Sequence, residues 1–319
     1  MLERAKILIT GGSGFLGKHL IEWLLTFPVA EVIAYARDEK KHYELRKTIT
    51  SSRLRSIIGD VRDLEALTRA VDGVDYVIHA AAMKHVTHCE SYPDEAYKTN
   101  VLGASNVVLA SKRTNNPRVI FISTDKAVAP VNVYGATKML AEQIFRSSGC
   151  KCVGVRYGNV LSSAGSVVPF FRERAQAKQT LPVTDPNMTR FLIPVEQAVG
   201  MVVHAMHVHA AGQIYVPMLK SARVGDIAEV FAEKYGAKTE IVGPRPGEKL
   251  HESLLSERDA GQLSLLDDEG TVVIRNASDG FESMDRGKDA AIDLTRFRSD
   301  GPVMTKSQVF DFLTGEGAL

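Results

Sequence analysis

The stretch "ILITGGSGFLGKHL" (residues 7–20) passes from an apolar run through a glycine-rich turn into a helix-forming segment. Glycine lets the backbone of such a turn approach a pyrophosphate closely, and the first turn of the following helix offers N–H donors to that anion. Glycine spacing alone is weak evidence, but the strand before the turn and the helix after it predict a dinucleotide-binding βαβ unit. The positions expected to contact the dinucleotide are Gly11, Gly14, Phe15, Leu16 and Gly17.

Strand-like and helix-like segments alternate through the first half of the chain. Apolar runs typical of buried strands lie at residues 6–10, 32–36, 56–59, 76–80 and 119–123. The segment 99–116 has the apolar spacing of a helix, and "CVGVRYGNVL" at 152–161 indicates a sixth strand. This alternation predicts an α/β fold with a Rossmann-type, doubly wound parallel sheet.

The pattern changes near residue 162. Beyond it, proline-marked loops lie next to short helices, as in "TLPVTDPNMTRFLIPVEQAV" at 180–199,. We therefore expect a Rossmann domain at 1–162 that binds the cofactor and a smaller, mainly substrate-binding C-terminal lobe at 163–319, with the chain crossing between the lobes. The polar segment 266–291 is expected to be a long loop, partly mobile.

Composition excludes few functions. Of the 319 residues, 45% are hydrophobic and 24% charged, and the formal net charge of +1 gives no electrostatic reason to expect nucleic acid or an anionic membrane as a partner,. No apolar run approaches the roughly 20 residues of a membrane helix, and the chain starts without a leader-like segment, so we expect a cytoplasmic protein. No metal site is expected, because metal-ligand spacing is absent from both candidate sets, which are Cys89, Cys150, Cys152 and His204, His207, His209,.

The end of the second strand bears on the choice of cofactor. "YARDEKK" at 35–41 contains Arg37 and Asp38, where an acid would bind the ribose hydroxyls of NAD and an arginine would accept the 2′-phosphate of NADP. Because Arg37 comes first and Lys40 adds positive charge, the sequence favours NADP over NAD; the alternative is a solvated helix start. Further cofactor contacts are expected after the third and fourth strands, at Asp60, Val61, Ala80, Ala81 and Lys84.

A Y-x-x-x-K pair lies in "FISTDKAVAPVNVYGATK" at 121–138. On a helix, Tyr134 and Lys138 fall on one face. The ammonium is expected to stabilise a tyrosinate, lowering a pKa that is ordinarily about 10, and to donate to the nicotinamide ribose. Such a pair is common by chance, but here it follows a strand-terminal Ser-Thr pair and the glycine turn, which together predict a redox site.

Seven short motifs carry a resemblance to a known family. They are "AAMKHV" (81–86), "STDKA" (123–127), "YGATK" (134–138), "RYGNVL" (156–161), "GSVVPFF" (165–171), "MTRF" (188–191) and "RPGEKLHE" (245–252). On these the chain resembles the UDP-N-acetylglucosamine 4,6-dehydratases of bacterial surface-sugar biosynthesis, within the extended short-chain dehydrogenase/reductase superfamily. The resemblance implies a UDP-sugar substrate and a homo-oligomer.

The resemblance also implies roles for Tyr134 and for the polar side chains that follow the fifth strand. Tyr134 takes the proton of the sugar 4-hydroxyl while a hydride leaves C4, and Thr124 binds near O4. Lys126 then removes the C5 proton and Asp125 protonates the departing 6-hydroxyl. This requires a neutral Lys126 and a protonated Asp125; burial favours both states and a direct ion pair opposes them, and the sequence leaves the balance open.

Substrate contacts are carried over from the same family. The two arginines are expected at the diphosphate and Glu248 at the uridine ribose, whereas His85 has an equally good interpretation as a packing residue. Ala164 stands where the family often has an arginine, which leaves one diphosphate contact open. The expected substrate-binding residues are Lys84, His85, Asn159, Val167, Arg190, Arg245 and Glu248.

Two other functions remain open on the sequence. A nucleotide-sugar 4-epimerase would need Tyr134, Lys138 and the glycine turn but has no use for Asp125 and Lys126. A non-catalytic NADP-binding sensor or assembly protein would require none of these side chains. Within the dehydratases, members that retain the C5 configuration commonly have Met at the position of Tyr134, so this chain is expected to invert C5.

Overall fold

The structure is a computed structural model that describes residues 2–163, 165–208, 211–265, 270–275, 292–301 and 303–319. Its strands are β1 (Lys6–Thr10), β2 (Glu31–Ala36), β3 (Leu54–Ile58), β4 (Tyr76–His79), β5 (Arg118–Thr124), β6 (Cys152–Tyr157), β7 (Asn159–Val160), β8 (Leu181–Val183), β9 (Thr189–Ile193), β10 (Gln213–Val216), β11 (Lys220–Arg223), β12 (Thr239–Ile241), β13 (Leu263–Leu265) and β14 (Val272–Ile274).

Helices connect most of these strands. They are α1 (Phe15–Leu24), α2 (Glu39–Thr48), α3 (Leu64–Val71), α4 (Val86–Ser91), α5 (Pro93–Ala96), α6 (Gly103–Arg113), α7 (Val133–Ser147), α8 (Val167–Gln176), α9 (Val195–His207), α10 (Val224–Tyr235), α11 (Glu257–Ala260) and α12 (Lys306–Gly315). A π-helical turn at Tyr97–Leu102 joins α5 to α6, and a 3₁₀ turn at Asp125–Ala127 follows β5.

A nine-stranded, mostly parallel sheet forms the centre of the protein. Its strand order is β13-β14-β10-β6-β5-β4-β1-β2-β3. The seven strands β10, β6, β5, β4, β1, β2 and β3 run parallel to one another. The predicted Rossmann-type α/β fold is thus confirmed, and the first five strands lie within two residues of their predicted bounds. The strand order reverses between β1 and β4, which opens a crevice at the carboxyl edge where such sheets bind ligands.

Burial explains why the strands could be recognised. The side chains of Ile7, Leu8 and Ile9 are fully buried in β1, and every residue of β4 is buried. Continuous apolar runs of this kind are typical of parallel strands that are covered by helices on both faces. Here α3, α6 and α7 pack side by side, and α1 packs against α9.

The chain returns to this sheet after residue 162. Helix α9 packs on β5 and β6, and β10, β14 and β13 extend the sheet. The prediction of a loop throughout 266–291 is wrong at Val272–Ile274, because these β-branched residues are fully or almost fully buried and pair antiparallel with Ile214–Val216,. Residues 266–269 and 276–291 lie outside the described part of the chain, and the division at residue 162 stays a prediction.

A second hydrophobic cluster lies in the C-terminal part. Helix α10 packs against α8 and α12, and Phe171, Ile227, Phe231 and Leu313 are buried between them. Two small sheets, β11-β9-β7 and β12-β8, border this cluster. Over the described ranges, none of the helices combines the length and apolar character needed to cross a membrane.

Candidate active site

The turn that follows β5 is fixed by its own side chains. Thr124 Oγ1 accepts from the backbone N–H of Lys126 at 3.3 Å and donates to Asp125 Oδ1 at 2.9 Å. Asp125 is fully buried. Gly135 in the first turn of α7 is required here, because a Cβ at that position would lie 2.2 Å from the carbonyl oxygen of Lys126. The turn after β5 and the start of α7 are therefore in direct contact.

Lys126, whose side chain is 19% exposed, forms an ion pair with the fully buried Asp125. Its Nζ lies 2.9 Å from Asp125 Oδ1, 3.3 Å from Asn159 Oδ1 and 3.6 Å from Glu252 Oε1. Burial acts to lower the pKa of Lys126, but the negative charges of Asp125 and Glu252 outweigh it and the pKa is raised,. In the balance that the sequence left open, the neighbouring carboxylates therefore favour the ammonium form of Lys126.

Tyr134 and Lys138 share the buried face of α7, but their electrostatics differ from the prediction. Burial raises the pKa of Tyr134 to about 12, against the lowering effects of the Lys126 charge and a hydrogen bond with Thr124. Lys138 Nζ donates to the carbonyl oxygen of Ile122 at 2.7 Å, and burial lowers the pKa of Lys138 to about 8 although Glu142 acts to raise it. The expected lowering of the tyrosine pKa by Lys138 is therefore wrong for the ligand-free protein.

A buried carboxylate network supports α7 from behind. Ser123 Oγ donates to Glu142 Oε1, and Arg156 donates to both oxygens of Glu142 at 3.0 and 2.8 Å. Arg156 also reaches Asp259 Oδ2 at 3.1 Å and the carbonyl of Leu254 at 2.9 Å. This network links the catalytic helix to the segment that follows the RPGEKLHE motif. Sequence reasoning missed it, although Glu142 lies four residues after Lys138 on the same helix face.

Asn100 is a second residue that the sequence did not reveal. Its Oδ1 accepts from the backbone N–H of Met83 at 2.8 Å, and its Nδ2 donates to Met83 O at 3.0 Å and Thr137 Oγ1 at 2.9 Å. The residue lies in the π-helical turn, whose wider spacing hides it from a periodicity search. Asn100 therefore anchors the segment after β4 to the catalytic helix.

The glycine turn has the shape that a pyrophosphate needs. Gly11 has φ +71°, and a Cβ there would lie 2.9 Å from Ala81 N, so the turn lies directly on the end of β4. A Cβ at Gly17 would lie 2.6 Å from the carbonyl oxygen of Gly11. Within the described residues, Gly14 caps α1 without a side-chain hydrogen bond, and the first turn of α1 has no acidic side chain. These residues fit a dinucleotide.

The side chains after β2 have divided roles. Asp38 is the N-cap of α2, where its Oδ1 accepts from Lys41 N at 3.0 Å. The side chain of Arg37 is more than half exposed, and its Nη1 lies 3.6 Å from Asp60 Oδ2. Two residues that were predicted to contact the cofactor are therefore neighbours. The pKa of Lys84, in the segment that follows β4, is lowered mainly by desolvation and further by the charge of Lys41. Of the other predicted residues, Lys40 is exposed, Val61 is buried, and Ala80, Phe15 and Leu16 are partly buried.

The predicted substrate residues are only partly brought together. Asn159 contacts Lys126, whereas the guanidinium of Arg190 donates to the carbonyls of Thr189, Leu250 and Lys249 at 2.7, 3.2 and 3.0 Å. The open fork expected for a phosphate is therefore absent at Arg190, because its N–H groups fix the 249–250 backbone.

The remaining substrate candidates lie in three separate segments of the chain. Arg245 is exposed, and its backbone N–H donates to Glu248 Oε2 at 3.0 Å. The ring of His85 lies so close to Gly165 that a Cβ there would be 2.3 Å from His85 Cε1. Val167 begins α8, and Ala164 lies outside the described residues.

The cysteines and histidines considered as metal ligands do not converge within the described residues. All three cysteines are free and buried. His204 contacts the ring of Tyr215, His207 Nδ1 lies 2.9 Å from Val203 O, and His209 is outside the described residues. In the described part of the chain, no cluster of three or more candidate ligands surrounds a metal position.

The chain is similar over most of its length to several known proteins. The inverting UDP-N-acetylglucosamine 4,6-dehydratase of Campylobacter jejuni subsp. jejuni (strain 81-176) is 42% identical over 269 residues, which are 82% of this chain and 80% of that protein. The UDP-glucose 4-epimerase of Rickettsia felis is 40% identical over 267 residues, 79% of this chain and 78% of that protein. The X-ray structure of Pen from Bacillus thuringiensis has a TM-score of 0.90 and 30% identity, covering 98% of this chain and 99% of that one.

The resemblance found in the short motifs is thereby confirmed. A family model described as "Polysaccharide biosynthesis protein" matches residues 7–272, which include the glycine turn, the catalytic turn and the RPGEKLHE motif. The chain belongs to this family of polysaccharide biosynthesis proteins.

Proposed function

We propose that this protein is an inverting UDP-N-acetylglucosamine 4,6-dehydratase that uses NADP. The observation that carries the proposal is the ion pair of the buried Asp125 with Lys126, 2.9 Å apart at the carboxyl end of β5 and next to Tyr134. An acid and a base held together in this way suit the removal of water from a sugar. The relative of that name at 42% identity supports the same reaction.

The cofactor is held by residues around the β1 and β4 ends. Gly11, Gly14 and the first turn of α1 bind the pyrophosphate, and Arg37 binds the 2′-phosphate of NADP. Arg37 is available for this role because it is more than half exposed, whereas Asp38 already caps α2. When bound, the nicotinamide ring accepts a hydride from C4 of the sugar and returns it at C6.

Tyr134 is the base for oxidation at C4. It takes the proton of the 4-hydroxyl, while Thr124 positions the same oxygen. With a pKa of about 12 in the ligand-free protein, the phenol depends on nearby positive charge to lose its proton,. The ammonium of Lys126 supplies this charge, because it acts to lower the pKa of Tyr134, and Lys138 donates to the nicotinamide ribose.

Asp125 and Lys126 perform the elimination. Proton transfer along their 2.9 Å hydrogen bond converts the ion pair into a neutral acid and a neutral amine. Lys126 then takes the C5 proton, the C5–H electron pair forms the C5–C6 double bond, and the C6–O bond breaks as Asp125 gives its proton to the hydroxyl. Among the described residues none donates a hydrogen bond to the buried Asp125 Oδ2.

A nucleotide-sugar 4-epimerase is the second candidate, because the Rickettsia felis relative carries that name. It would use Tyr134 and Lys138 and leave the Asp125–Lys126 pair without a function. The test is to incubate the protein with UDP-N-acetylglucosamine, without added cofactor, and to measure the product mass. We expect the loss of one water; an isomer of unchanged mass supports the epimerase, and no reaction supports a non-catalytic NADP-binding protein.

Exposed apolar side chains support assembly into a homo-oligomer. Leu102, Leu109 and Leu140, on the π-helical turn, α6 and α7, are 37%, 43% and 45% exposed,. Light scattering on the purified protein should give a mass above that of one chain, and a monomer at micromolar concentration would contradict the assignment. The cytoplasmic location stays a prediction.

A further inference from the structure

Glu252, the last residue of the RPGEKLHE motif, is buried against the catalytic lysine. Only 4% of the residue is exposed, and its Oε1 lies 3.6 Å from Lys126 Nζ. Its backbone N–H donates to Ser299 Oγ at 2.7 Å, and its carbonyl accepts from Ser299 N at 2.8 Å. The carboxylate is therefore held in place from a segment that is distant in sequence from Lys126.

Lys126 is consequently flanked by two carboxylates. Asp125 approaches from the turn after β5, and Glu252 from the loop before α11. The positive charges nearby are Arg190 on β9 and Lys249, whose Nζ lies 3.5 Å from Glu252 Oε2 and donates to the carbonyl of Val128. The carboxylate of Glu252 is thus shared between Lys126 and Lys249, and Lys249 also donates to a backbone carbonyl.

Asp125 alone can protonate the leaving 6-hydroxyl. The carboxylate of Glu252 must therefore have another role. After elimination Lys126 is an ammonium that holds the proton taken from C5. If this proton returned to C5, it would arrive on the face that it left, and the configuration would be retained. An inverting enzyme therefore needs this ammonium to be a weak acid.

We infer that Glu252 is a positioning residue that keeps the C5 proton on Lys126, so that C5 is reprotonated from its opposite face. The inference rests on the proposed function. In the last step the hydride reaches C6, the C5–C6 electron pair takes a proton from water on the opposite face, and the hydroxide left by that water takes back the proton that Tyr134 removed from the 4-hydroxyl. The Lys126 proton passes to the Asp125 carboxylate that gave one up. The proton balance is then restored without Lys126 acting on C5 again.

The test measures C5 stereochemistry in wild type, Glu252→Gln and Glu252→Asp. Reactions with UDP-N-acetylglucosamine are run in deuterium oxide, and ring couplings are read by NMR. The fraction of product that retains the C5 configuration, the D-xylo isomer, is extrapolated to zero time to exclude spontaneous epimerisation. We expect the fraction to rise from wild type through Glu252→Asp to Glu252→Gln, by about tenfold for a loss of one pKa unit at Lys126. Glu257→Gln, an exposed change of the same type on α11, should match wild type.

A change in stability or rate alone would indicate a merely structural role, because only proton return to C5 alters the stereochemistry. A Glu252→Gln protein that dehydrates the sugar with wild-type inversion overturns the inference. If this variant does not fold, the Glu252→Asp protein decides the question by the same comparison. A wild-type protein that forms no dehydrated product overturns the proposed function, and the role of Glu252 with it.

Discussion

Replacing Arg156 with Met should destabilise the protein strongly. Only 4% of Arg156 is exposed, and its guanidinium makes three hydrogen bonds to Glu142 and Asp259, which are 2% and 7% exposed. Met keeps the length and apolar body of the side chain but leaves two buried carboxylates without their cation. Removing one partner of such a buried pair costs about 3–5 kcal/mol, a large fraction of a typical folding free energy of about 5–15 kcal/mol.

The pH dependence of this loss has a defined sign. Burial acts to raise the pKa of Asp259, but Arg156 and hydrogen bonds from Ser256 outweigh it and hold the pKa below its usual value. A carboxyl with a lowered folded-state pKa stabilises the protein above its unfolded pKa of about 3.9, and this contribution is lost as the pH falls through the folded-state value. The difference between wild type and Arg156→Met should therefore be greatest near neutral pH and shrink below about pH 4.

Urea unfolding, followed by circular dichroism at several pH values, measures both effects. Arg298→Met is the matched control, because Arg298 is 55% exposed and pairs with Asp300 on the surface; it should cost less than about 1 kcal/mol. A loss below about 1 kcal/mol for Arg156→Met at neutral pH, or a loss that does not change with pH, would refute the importance of this network.

Three further predictions concern the active site and the cofactor. Lys126→Ala should still oxidise C4 but stall before dehydration, so that single-turnover absorbance shows reduced nicotinamide; unimpaired dehydration would eliminate Lys126 as the base. Arg37→Ala should weaken NADP by about tenfold or more, for the loss of a charge-assisted bond, and NAD much less; equal losses on titration would contradict the assignment. Between pH 8 and about pH 10, the free energy of unfolding of wild type should rise by about 2 kcal/mol relative to that of Lys138→Met. The reason is that the pKa of Lys138 is 10.5 in the unfolded chain but about 8 in the folded protein, so the folded protein loses this proton first,. If the difference in unfolding free energy between the two proteins is the same at both pH values, the pKa of Lys138 is not perturbed.

The parts of the fold that the sequence predicted well are those with uniform local patterns. The buried strands β1 to β5 are continuous apolar runs, and the glycine turn follows β1 at once, so both could be identified without tertiary information,. Strand β14 could not, because Val272–Ile274 is a short apolar run within a polar segment. It pairs with β10, which lies far away in the chain, and with β13, and these pairings make it a strand.

In the candidate site, too, the sequence predicts contacts within one short segment but not contacts between residues that lie far apart in the chain. Tyr134, Lys138 and the Asp125–Lys126 turn lie in one short segment, and their contacts follow from strand and helix geometry. Glu252 reaches Lys126 through a contact between residues far apart in sequence, for which spacing gives no signal. The pKa values depend on the same tertiary contacts. From the sequence, an Asp125–Lys126 ion pair could be anticipated, but not that its effect on the pKa of Lys126 outweighs the effect of burial,.

The most direct test of the dehydratase function is the fate of the hydrogen on C4. UDP-N-acetylglucosamine that carries deuterium at C4 should be converted, without added cofactor, to a product that has lost one water and carries the deuterium in its C6 methyl group. This result requires one bound nicotinamide to take the label from C4 and deliver it to C6 of the same sugar, after Asp125 and Lys126 have removed water. An isomer of unchanged mass with its deuterium still at C4 would contradict the account and identify an epimerase.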